Sequence, residues 1–590
     1  MSTSPAPWCD TGPLPQLLEG EPQTIHAQGI DLVVLRTPKG TRVFEGRCPH
    51  QGALLGEGEV SEGLLICRNH RWKFDCESGE RQGGSPVCLK KFETKVENGR
   101  LLVKLPSASK EARAKELQAQ ESSQKAIQPN DLPGPRGIPL LGNARQIDTD
   151  RFHLVLEKWA REFGSPYTFT LANHRVVAFT DPKVIAKILR ARPDSFTRST
   201  RLREIFVELG VDGVFSAEGD SWRPQRKLAI SALSHRNLKS FYPVLEKMAD
   251  RLCRRWDKVA DTGEIIDIQD DLMRFTVDVT TMLAFGHDVN TLEKGDDVIQ
   301  RHMEKVFPTL ARRLQAVIPY WRVLRLPKDR AVDRAVAALR EWLTPIVAKT
   351  RKRLLEQPEL AANPTNFLEK MLSSKDEKGQ PFSEECIFGN AMTMLLAGED
   401  TTANTLAWAV HHLLDRPESV SALHDELDEA MGNSRVPQSR EIAQGLTLAG
   451  AIANESMRLR PVAPLLFTDA TEPTIVGGVA IDPDKCTIAL LIRPSALDDE
   501  VMPEGSRFIP ERWLDPATAK RAQEHMVHIP FGSGPRICPG RSLALLEMNL
   551  VLGTLYKNFR IERVGKSEDV TELFSFTVTP ENLRVKLFKR

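Results

Sequence analysis

The chain has 590 residues, more than one ordinary hydrophobic core accommodates, and this length predicts at least two domains. Its 41% hydrophobic and 27% charged residues are typical of a globular protein and exclude a mainly disordered chain. Because 80 Lys and Arg nearly balance 79 Asp and Glu, no overall charge would attract nucleic acid or an anionic membrane surface.

Two expected absences predict the cellular compartment: a secretory signal and a membrane-spanning segment. The first twenty residues do not follow the pattern of a secretory signal. No apolar run reaches the about 18 residues that a membrane-spanning helix needs. We therefore expect a cytoplasmic protein with no membrane span and no nucleic-acid partner. In a reducing compartment, its nine cysteines are expected to be metal ligands or buried thiols.

The first part of the chain predicts a small all-β domain, which we place at residues 1–106. Short strand-like runs separated by Gly-rich turns are typical of an antiparallel β domain. They fall at residues 31–36, 41–44, 64–66, 72–74 and 101–103.

Two short motifs lie on turns between these strands, Cys48-Pro-His50 and Cys67-Arg-Asn-His70. Two thiolates suit one iron and two neutral imidazoles suit a second iron. The motifs resemble the Rieske family, over about residues 30–105. The resemblance implies a 2Fe-2S cluster held by these four residues. A structural zinc site is the alternative. Arg68 stands where Pro is frequent in the family and Arg71 where Gly is common, so the cluster potential stays open.

A change of composition separates this domain from the rest of the chain. Residues 107–131 are rich in Ala, Lys, Glu, Gln and Ser and predict a linker. From residue 132 to residue 590 the apolar spacing is mostly helical and predicts a large, mainly α domain with minor β structure. Helices are predicted at residues 184–191, 228–233, 241–259, 332–357, 384–414 and 543–555.

A cysteine-containing loop precedes the last of these helices, Phe531-Gly-Ser-Gly-Pro-Arg-Ile-Cys-Pro-Gly540. A Cys on a Gly-rich loop before a helix can offer its sulfur to haem iron while backbone N–H groups stabilise the thiolate. The loop resembles the haem-binding loop of cytochrome P450. The resemblance implies haem b, with Cys538 as iron ligand and Arg536 paired with a propionate. The other matching positions are Phe531, Gly534 and Gly540.

Two further pairs follow the order of the same family. Glu455 and Arg458 lie one helical turn apart, and the resemblance implies a structural pair that holds the loop at residues 508–513. Trp222 and Arg226 resemble the pair that binds the haem propionates. Many relatives carry an Arg in the strand after the Glu455 helix, where this chain has Thr468. Arg226, Arg536 or another residue would then neutralise the propionates.

The predicted helix at residues 384–414 contains Ala397-Gly-Glu-Asp-Thr-Thr402, with Ser383 as a plausible N-cap. Gly398 inside a helix costs ~1 kcal/mol relative to Ala, which suggests a functional distortion. The segment resembles the oxygen-activation groove of cytochrome P450. The resemblance implies that Asp400 and Thr401 relay protons to iron-bound dioxygen.

Together these resemblances imply a self-tethered monooxygenase. Its Rieske domain would pass single electrons to the haem domain, which would use O2 to hydroxylate an apolar, lipophilic small molecule. No Gly-x-Gly-x-x-Gly motif lies between a strand and a helix, so a separate NAD(P)H-dependent flavoprotein reductase is implied.

Four other functions are considered. A peroxide-driven peroxygenase or a haem isomerase would need no electron carrier, and a redox or gas sensor would use the two centres without catalysis. A Rieske non-haem oxygenase would need two His and one carboxylate. His411, His412 and Asp415 offer this set but are expected to be surface residues.

Overall fold

A β-rich unit precedes a large helical one, which confirms the predicted fold class. The computed structural model describes residues 8–14, 21–83, 86–105, 126–172, 174–295, 298–316, 318–376 and 379–590. Most of the predicted linker, residues 107–125, lies outside these ranges. The last residues of the linker are bonded to the helical unit. Ile127 donates a backbone hydrogen bond to Gly478 at 2.9 Å and accepts one from Ala480 at 3.0 Å.

The N-terminal domain consists of antiparallel sheets. One has the strand order β2-β3-β4-β9, a second β5-β6-β7-β8 and a third β1-β11-β10. Val33 and Phe44 in the first sheet and Leu65 and Phe74 in the second are fully buried, because alternate side chains of each strand point to the core between the sheets. The strands are β1 Trp8–Pro13, β2 Gln23–Ala27, β3 Ile30–Thr37, β4 Gly40–Glu45, β5 Glu59–Ser61, β6 Leu64–Ile66, β7 Lys73–Asp75, β8 Arg81–Gln82, β9 Lys91–Phe92, β10 Thr94–Glu97 and β11 Arg100–Lys104.

The two Cys and His motifs lie on loops of this domain. The first follows β4 and leads to a 3-10 turn, Leu55–Glu57, and the second connects β6 to β7. Both motifs therefore lie on turns between strands, as predicted.

The C-terminal domain is mainly helical. Its helices are α1 Phe152–Phe163, α2 Pro182–Arg190, α3 Thr200–Glu208, α4 Trp222–Ala232, α5 His235–Thr262, α6 Ile268–Phe285, α7 Thr291–Lys294, α8 Val298–Gln315, α9 Pro327–Glu356, α10 Pro358–Ala362, α11 Phe367–Ser373, α12 Glu384–Leu413, α13 Pro417–Met431, α14 Arg440–Gly445, α15 Thr447–Leu459, α16 Arg493–Ala496, α17 Pro516–Glu524 and α18 Arg541–Asn558. No helix in the described ranges is long and apolar enough to cross a membrane.

Smaller sheets flank the helices. The largest has the order β12-β13-β19-β16-β14, and the others are β15-β23-β20, β17-β18 and β21-β22. The strands are β12 Tyr167–Leu171, β13 His174–Phe179, β14 Phe196–Arg198, β15 Ile266–Asp267, β16 Leu465–Ala470, β17 Thr474–Val476, β18 Val479–Ile481, β19 Cys486–Leu491, β20 Phe559–Val564, β21 Thr571–Ser575, β22 Thr577–Glu581 and β23 Arg584–Lys589.

The central helix α12 ends one residue before the predicted boundary. Ser383 is its N-cap, because the Ser383 hydroxyl accepts a hydrogen bond from the Cys386 N–H at 3.2 Å. By contrast, α4 begins six residues before its predicted start at Leu228. The first turns of α4 contain mostly polar residues, so apolar spacing does not reveal them, and Pro224 is tolerated in a first turn.

Candidate functional site: two facing metal centres

The four predicted cluster ligands form two pairs. The Cys48 and Cys67 side chains are 2% and 1% exposed and are hydrogen-bonded to each other. The His50 and His70 rings lie with their centroids 4.4 Å apart. Nδ1 of His70 is buried and has no hydrogen-bond partner. Two adjacent thiols beside two adjacent imidazoles fit a 2Fe-2S cluster with the Cys ligands on one iron and the His ligands on the other.

The surroundings favour the protonation states that metal binding needs. The hydrogen bond from Cys48 lowers the pKa of the Cys67 thiol to about 7, and the N–H groups of Asn69 and His70 act in the same direction. Burial, followed by nearby arginines, lowers the pKa of His50 to about 4 and that of His70 to about 2. Both imidazoles are therefore neutral near pH 7, which is the form that binds iron.

A cavity of about 440 Å³ lies between α12 and the loop that contains Cys538. Cys538 and Gly540 line it, with Thr401 also at its wall, and the remaining lining is mainly apolar. Burial raises the pKa of the Cys538 thiol, while the N–H groups of Gly540 and Arg541 and the charges of Arg226 and Arg68 lower it. These donors and cations would stabilise a thiolate ligand.

The loop before α18 is shaped by glycine and by a short backbone bond. Gly534 has φ +77°, and a Cβ there would lie 2.4 Å from the Leu189 carbonyl oxygen. The Cys538 N–H donates to the Phe531 carbonyl at 2.9 Å. Gly540 is the N-cap residue of α18, and a Cβ there would meet Cys538 Sγ at 3.7 Å. Of the sequence-predicted positions, Gly540 thus lies close to the Cys538 sulfur, and Phe531 is bonded to the Cys538 backbone.

Buried arginines lie at one side of the cavity. The Arg536 guanidinium pairs with Glu218 at 2.6 Å and lies 4.6 Å from the Trp222 ring centroid. Burial lowers the pKa of Arg536 to about 9, and Arg192 adds to this effect. Arg192 Nη2 and Arg536 Nε are buried with no hydrogen-bond partner. This excess of buried donors fits the two carboxylates of haem.

Arg226 has a partner that the sequence did not suggest. Its Nε and Nη2 atoms donate to the two carboxylate oxygens of Glu57, in the N-terminal domain, at 2.9 and 3.0 Å. Its Nη1 donates to the Ile537 carbonyl at 2.8 Å. Arg226 also lines the cavity. Its role at a propionate stays a prediction, and its contact with Glu57 is a new finding.

Sequence reasoning missed Arg198, which lies beside Thr468, the position where many relatives carry an Arg. Arg198 in β14 is the direct register partner of Thr468 in β16, and it lines the cavity. It therefore places a guanidinium beside the strand in which many relatives carry one. Only the antiparallel pairing of two distant strands could have indicated this, and a linear motif does not contain that information.

Asp400 and Thr401, the predicted oxygen-groove residues of α12, differ in whether they line the cavity. Thr401 lines the cavity, and its hydroxyl donates to the Ala397 carbonyl at 2.9 Å. Asp400 is not among the described residues that line the cavity. Its carboxylate accepts hydrogen bonds from Thr577 and Asn404, and burial raises its pKa. The geometry therefore supports a proton relay at Thr401 more directly than at Asp400.

The Glu455 and Arg458 pair of α15 is fully buried. Arg458 Nη2 lies 2.7 Å from Glu455 Oε1, and both side chains are 0% exposed. Glu455 accepts hydrogen bonds from the Ile509 N–H at 3.0 Å and from Trp513 Nε1 at 2.8 Å. Arg458 donates to the Ala496 carbonyl at 2.8 Å. The pair thus holds the loop at residues 508–513, as the resemblance implied.

The alternative ligand set of His411, His412 and Asp415 was predicted to lie at the surface. This prediction is wrong for His411, which is 8% exposed. The His412 ring stacks on Phe508, with centroids 4.7 Å apart. The Asp415 carboxylate is paired with Arg563 and also accepts from Ser567 at 2.7 Å. These residues interact with the protein around them, because the end of α12 is covered by the C-terminal strands.

Comparisons with known proteins agree with this geometry. The family model "Cytochrome P450" matches residues 132–587. The chain belongs to the cytochrome P450 family. The model "Rieske [2Fe-2S] domain" matches residues 7–93, so the P450 domain follows a Rieske domain. The cofactors implied are haem and a 2Fe-2S cluster, and the enzyme is a P450 monooxygenase.

The curated relatives are distant. Protein LUTEIN DEFICIENT 5, chloroplastic, from Arabidopsis thaliana is 25% identical over 78% of this chain and 78% of that protein. Self-sufficient cytochrome P450 monooxygenase CYP505E4 from Penicillium freii is 25% identical over 77% of this chain, but over only 43% of that protein. Bifunctional cytochrome P450/NADPH–P450 reductase 2 from Bacillus subtilis is 24% identical over 78% of this chain and 43% of that protein.

Proposed function

We propose that the Rieske domain passes electrons one at a time to the P450 domain across a fixed contact between the two domains. The P450 domain then oxygenates an apolar small molecule, and a separate NAD(P)H-dependent flavoprotein reductase supplies the electrons. When bound, the cluster carries single electrons and the haem activates O2. The residues of this chain hold both groups, bring them together, exclude water and deliver protons.

The observation that carries this proposal is direct contact between the two metal-binding loops. The Gly534 N–H donates to the Gln51 carbonyl at 2.8 Å, and the Ser533 hydroxyl donates to the same oxygen at 2.9 Å. Gln51 directly follows His50, a predicted cluster ligand, whereas Ser533 and Gly534 lie in the Cys538 loop. The loops that would hold the cluster and the haem therefore face each other, and they are joined directly by these hydrogen bonds.

Apolar side chains cross the boundary in both directions. Ile537, one residue before Cys538, is 3% exposed and packs in the same cluster as Cys48 and Cys67 of the Rieske domain. Leu54 of the Rieske domain is 4% exposed and packs with the P450 core around Trp222. Such interlocking of the two cores indicates a stable interface, because separation would expose both side chains to water.

Glycine permits the close approach of the two loops. Gly52 has φ +72°, and a Cβ at this position would lie 3.3 Å from Gly534 Cα and 3.2 Å from Arg190 Cγ. Arg190 Nη2 in turn donates to the His50 carbonyl at 2.6 Å. A larger residue at position 52 would strain the backbone and push the loops apart.

Charged groups fix the orientation of the domains. Asp31 of the Rieske domain accepts hydrogen bonds from Arg47 Nε at 2.7 Å and from Arg223 Nη1 of the P450 domain at 3.1 Å. Arg47 also reaches Asp194 of the P450 domain at 2.5 Å. Burial would raise the pKa of Asp31, but His26, Arg47 and Arg223 together hold it well below its usual value. These pairs favour one docking geometry.

The lining of the cavity supports an apolar substrate. Phenylalanines contact each other near its wall, including Phe206 and Phe215 with ring centroids 5.4 Å apart and Phe307 and Phe576 at 5.7 Å. Buried arginines also line the cavity, and Arg198 lies 3.6 Å from the Phe215 ring centroid. A lipophilic ligand would therefore meet aromatic and aliphatic surface, with Thr401 as the nearby hydroxyl.

The docking can be tested with Arg223→Glu in the full chain. A carboxylate there would face Asp31 and Asp194, and loss of a desolvated charge pair costs about 2–5 kcal/mol at an interface. We expect reduction of the cluster by the reductase to keep its rate and the following reduction of the haem to slow, as measured by stopped-flow absorbance. Arg325→Glu is the control, because Arg325 is 45% exposed and pairs with Asp333 of its own domain. Equal haem-reduction rates in all three proteins would contradict the fixed-contact proposal.

Thr401→Ala tests proton delivery. The change removes the Thr401 hydroxyl from the cavity wall, so we expect protons to reach the oxygen site more slowly and reducing equivalents to form peroxide instead. We expect an unchanged haem spectrum and a several-fold lower ratio of product formed to NAD(P)H consumed. Thr402→Ala is the matched comparison, because Thr402 also lines the cavity but is hydrogen-bonded to Glu547. If Thr401→Ala keeps the parental ratio of product to NAD(P)H, the proton relay does not depend on Thr401. A low ratio only in Thr402→Ala would assign the relay to Thr402.

A further inference from the structure

Two arginines cross the domain boundary in opposite directions, each beside a metal ligand. Arg68 directly follows Cys67, and its Nη2 donates to the carbonyl of Pro539, the residue after Cys538, at 2.8 Å. Arg541 lies at the start of α18, and its Nη1 donates to the carbonyl of Asn69, between Cys67 and His70, at 2.5 Å. The exchange is reciprocal, so each guanidinium lies against the ligand loop of the other centre.

Both cations act on both sulfurs. The charge of Arg68 interacts with the Cys67 and Cys538 thiols, and the charge of Arg541 interacts with the same two thiols. Arg68 Nη1 is buried with no hydrogen-bond partner, so this cation is not fully neutralised or solvated. Two guanidinium groups therefore lie in the region between the cluster ligands and the haem ligand.

The nearest carboxylate does not balance these charges. Glu57 is the acid that acts on Arg68. Both of its oxygens already accept hydrogen bonds from Arg226, and the side chains of Glu57 and Arg226 are only 7% and 6% exposed. One carboxylate thus faces two guanidinium groups, those of Arg226 and Arg68, and with Arg541 the region carries net positive charge in a poorly solvated interface.

We propose that Arg68 and Arg541 form a cation bridge that raises the reduction potentials of the cluster and the haem together while the domains are docked. A nearby positive charge stabilises the centre that has gained an electron, and partial burial strengthens this effect. The inference rests on the docked arrangement of the two domains in the proposed function, since only a docked pair of redox centres would share this field.

A shared field has a specific consequence for electron flow. Because each guanidinium acts on both centres, the bridge raises both potentials and changes their difference little. One electron leaves the reductase and enters the Rieske domain, and the same electron then leaves for the P450 domain. The bridge favours the first of these steps and leaves the driving force of the second nearly unchanged.

The test is a redox titration of the full chain and its Arg541→Gln and Arg68→Gln variants, with the cluster followed by electron paramagnetic resonance and the haem by absorbance. Arg541→Gln is decisive because Arg541 belongs to the P450 domain, far in sequence from the cluster ligands. We expect an about tenfold lower equilibrium constant for cluster reduction, equivalent to about 59 mV for one electron. Arg68→Gln should lower the haem potential in the same direction.

Two controls separate charge from structure. Arg541→Lys keeps the charge and should keep the cluster potential near the parental value. Arg100→Gln makes the same substitution in the Rieske domain at an exposed pair with Asp10, and should shift neither potential. The characteristic spectra of both centres verify that each variant is folded and loaded.

An unchanged cluster potential in Arg541→Gln would overturn the cation bridge, and so would an equal shift in Arg541→Lys. The proposed electron transfer has a separate readout, the rate of haem reduction after the cluster is reduced. If the potentials shift as expected but no electron passes between the domains, the proposed function fails and the cation bridge stands.

Discussion

The Cys538→Ser variant is expected to lose the thiolate-type absorption of the reduced, carbon monoxide-bound haem completely, while the iron–sulfur signal survives. Among the described residues that line the cavity, Cys538 is the sole cysteine, so no second thiolate can replace it. A serine hydroxyl does not ionise near pH 7 and does not give the sulfur-to-iron bond. Absorbance of the reduced protein with carbon monoxide measures the loss.

Cys386→Ser is the matched control for this substitution. Cys386 lies in the first turn of α12 and is not among the described cavity-lining residues. It should retain the parental spectrum. A parental haem spectrum in Cys538→Ser would show that another residue is the iron ligand.

The second large effect is expected in the Rieske domain. Cys67→Ser removes one of four proposed ligands, so the cluster should be lost and reductase-driven turnover should fall to background. The P450 domain should keep its haem spectrum and its spectral response to substrate, because its cavity and Cys538 loop are formed by other residues. Any peroxide-supported activity should also remain, since peroxide bypasses the electron carrier.

Cys88→Ser is the control, because Cys88 is exposed and its thiol donates only to nearby carbonyls. Iron–sulfur absorbance and NAD(P)H-dependent product formation are measured for both variants. If the cluster-free Cys67→Ser protein turns over at the parental rate with the same reductase, the Rieske domain is a sensor or a passenger.

The ligand sets proposed for both centres follow from the sequence alone, because each is a short local pattern. Cys48, His50, Cys67 and His70 lie on two turns, and Cys538 lies on one Gly-rich loop, so their spacing contains most of the geometry. The buried pair of Glu455 and Arg458 is one helical turn apart and is local in the same sense. The fold class followed from the change from strand spacing to helical spacing.

The contacts between the domains could not be predicted, because they join residues that are distant in the chain. Arg226 and Glu57 are 169 positions apart, and Arg68 and Pro539 are 471 apart. Only tertiary packing brings these partners together. The sequence did single out Arg68 as a departure from the Rieske pattern, and the structure gives that departure a partner across the boundary.

Residues inside helices were harder to interpret than residues on loops. The sequence motif treats Asp400 and Thr401 as one relay, but consecutive residues point about 100° apart around a helix. Of these two, Thr401 is among the described residues that line the cavity and Asp400 is not. His411 was expected at the surface, but it is 8% exposed. The C-terminal strands cover this end, which periodicity within α12 does not reveal.

The contact between Gly52 and Gly534 restricts the evolution and the engineering of this fusion. A Rieske domain grafted from another protein would bring its own residue at position 52, and any side chain there would meet Gly534 and Arg190 at 3.2–3.3 Å. Recombination at the linker that replaces this glycine would therefore disturb the contact between the two loops. A successful chimera must keep Gly52 in its Rieske domain. The two loops must therefore be inherited together, although most of the polypeptide lies between them.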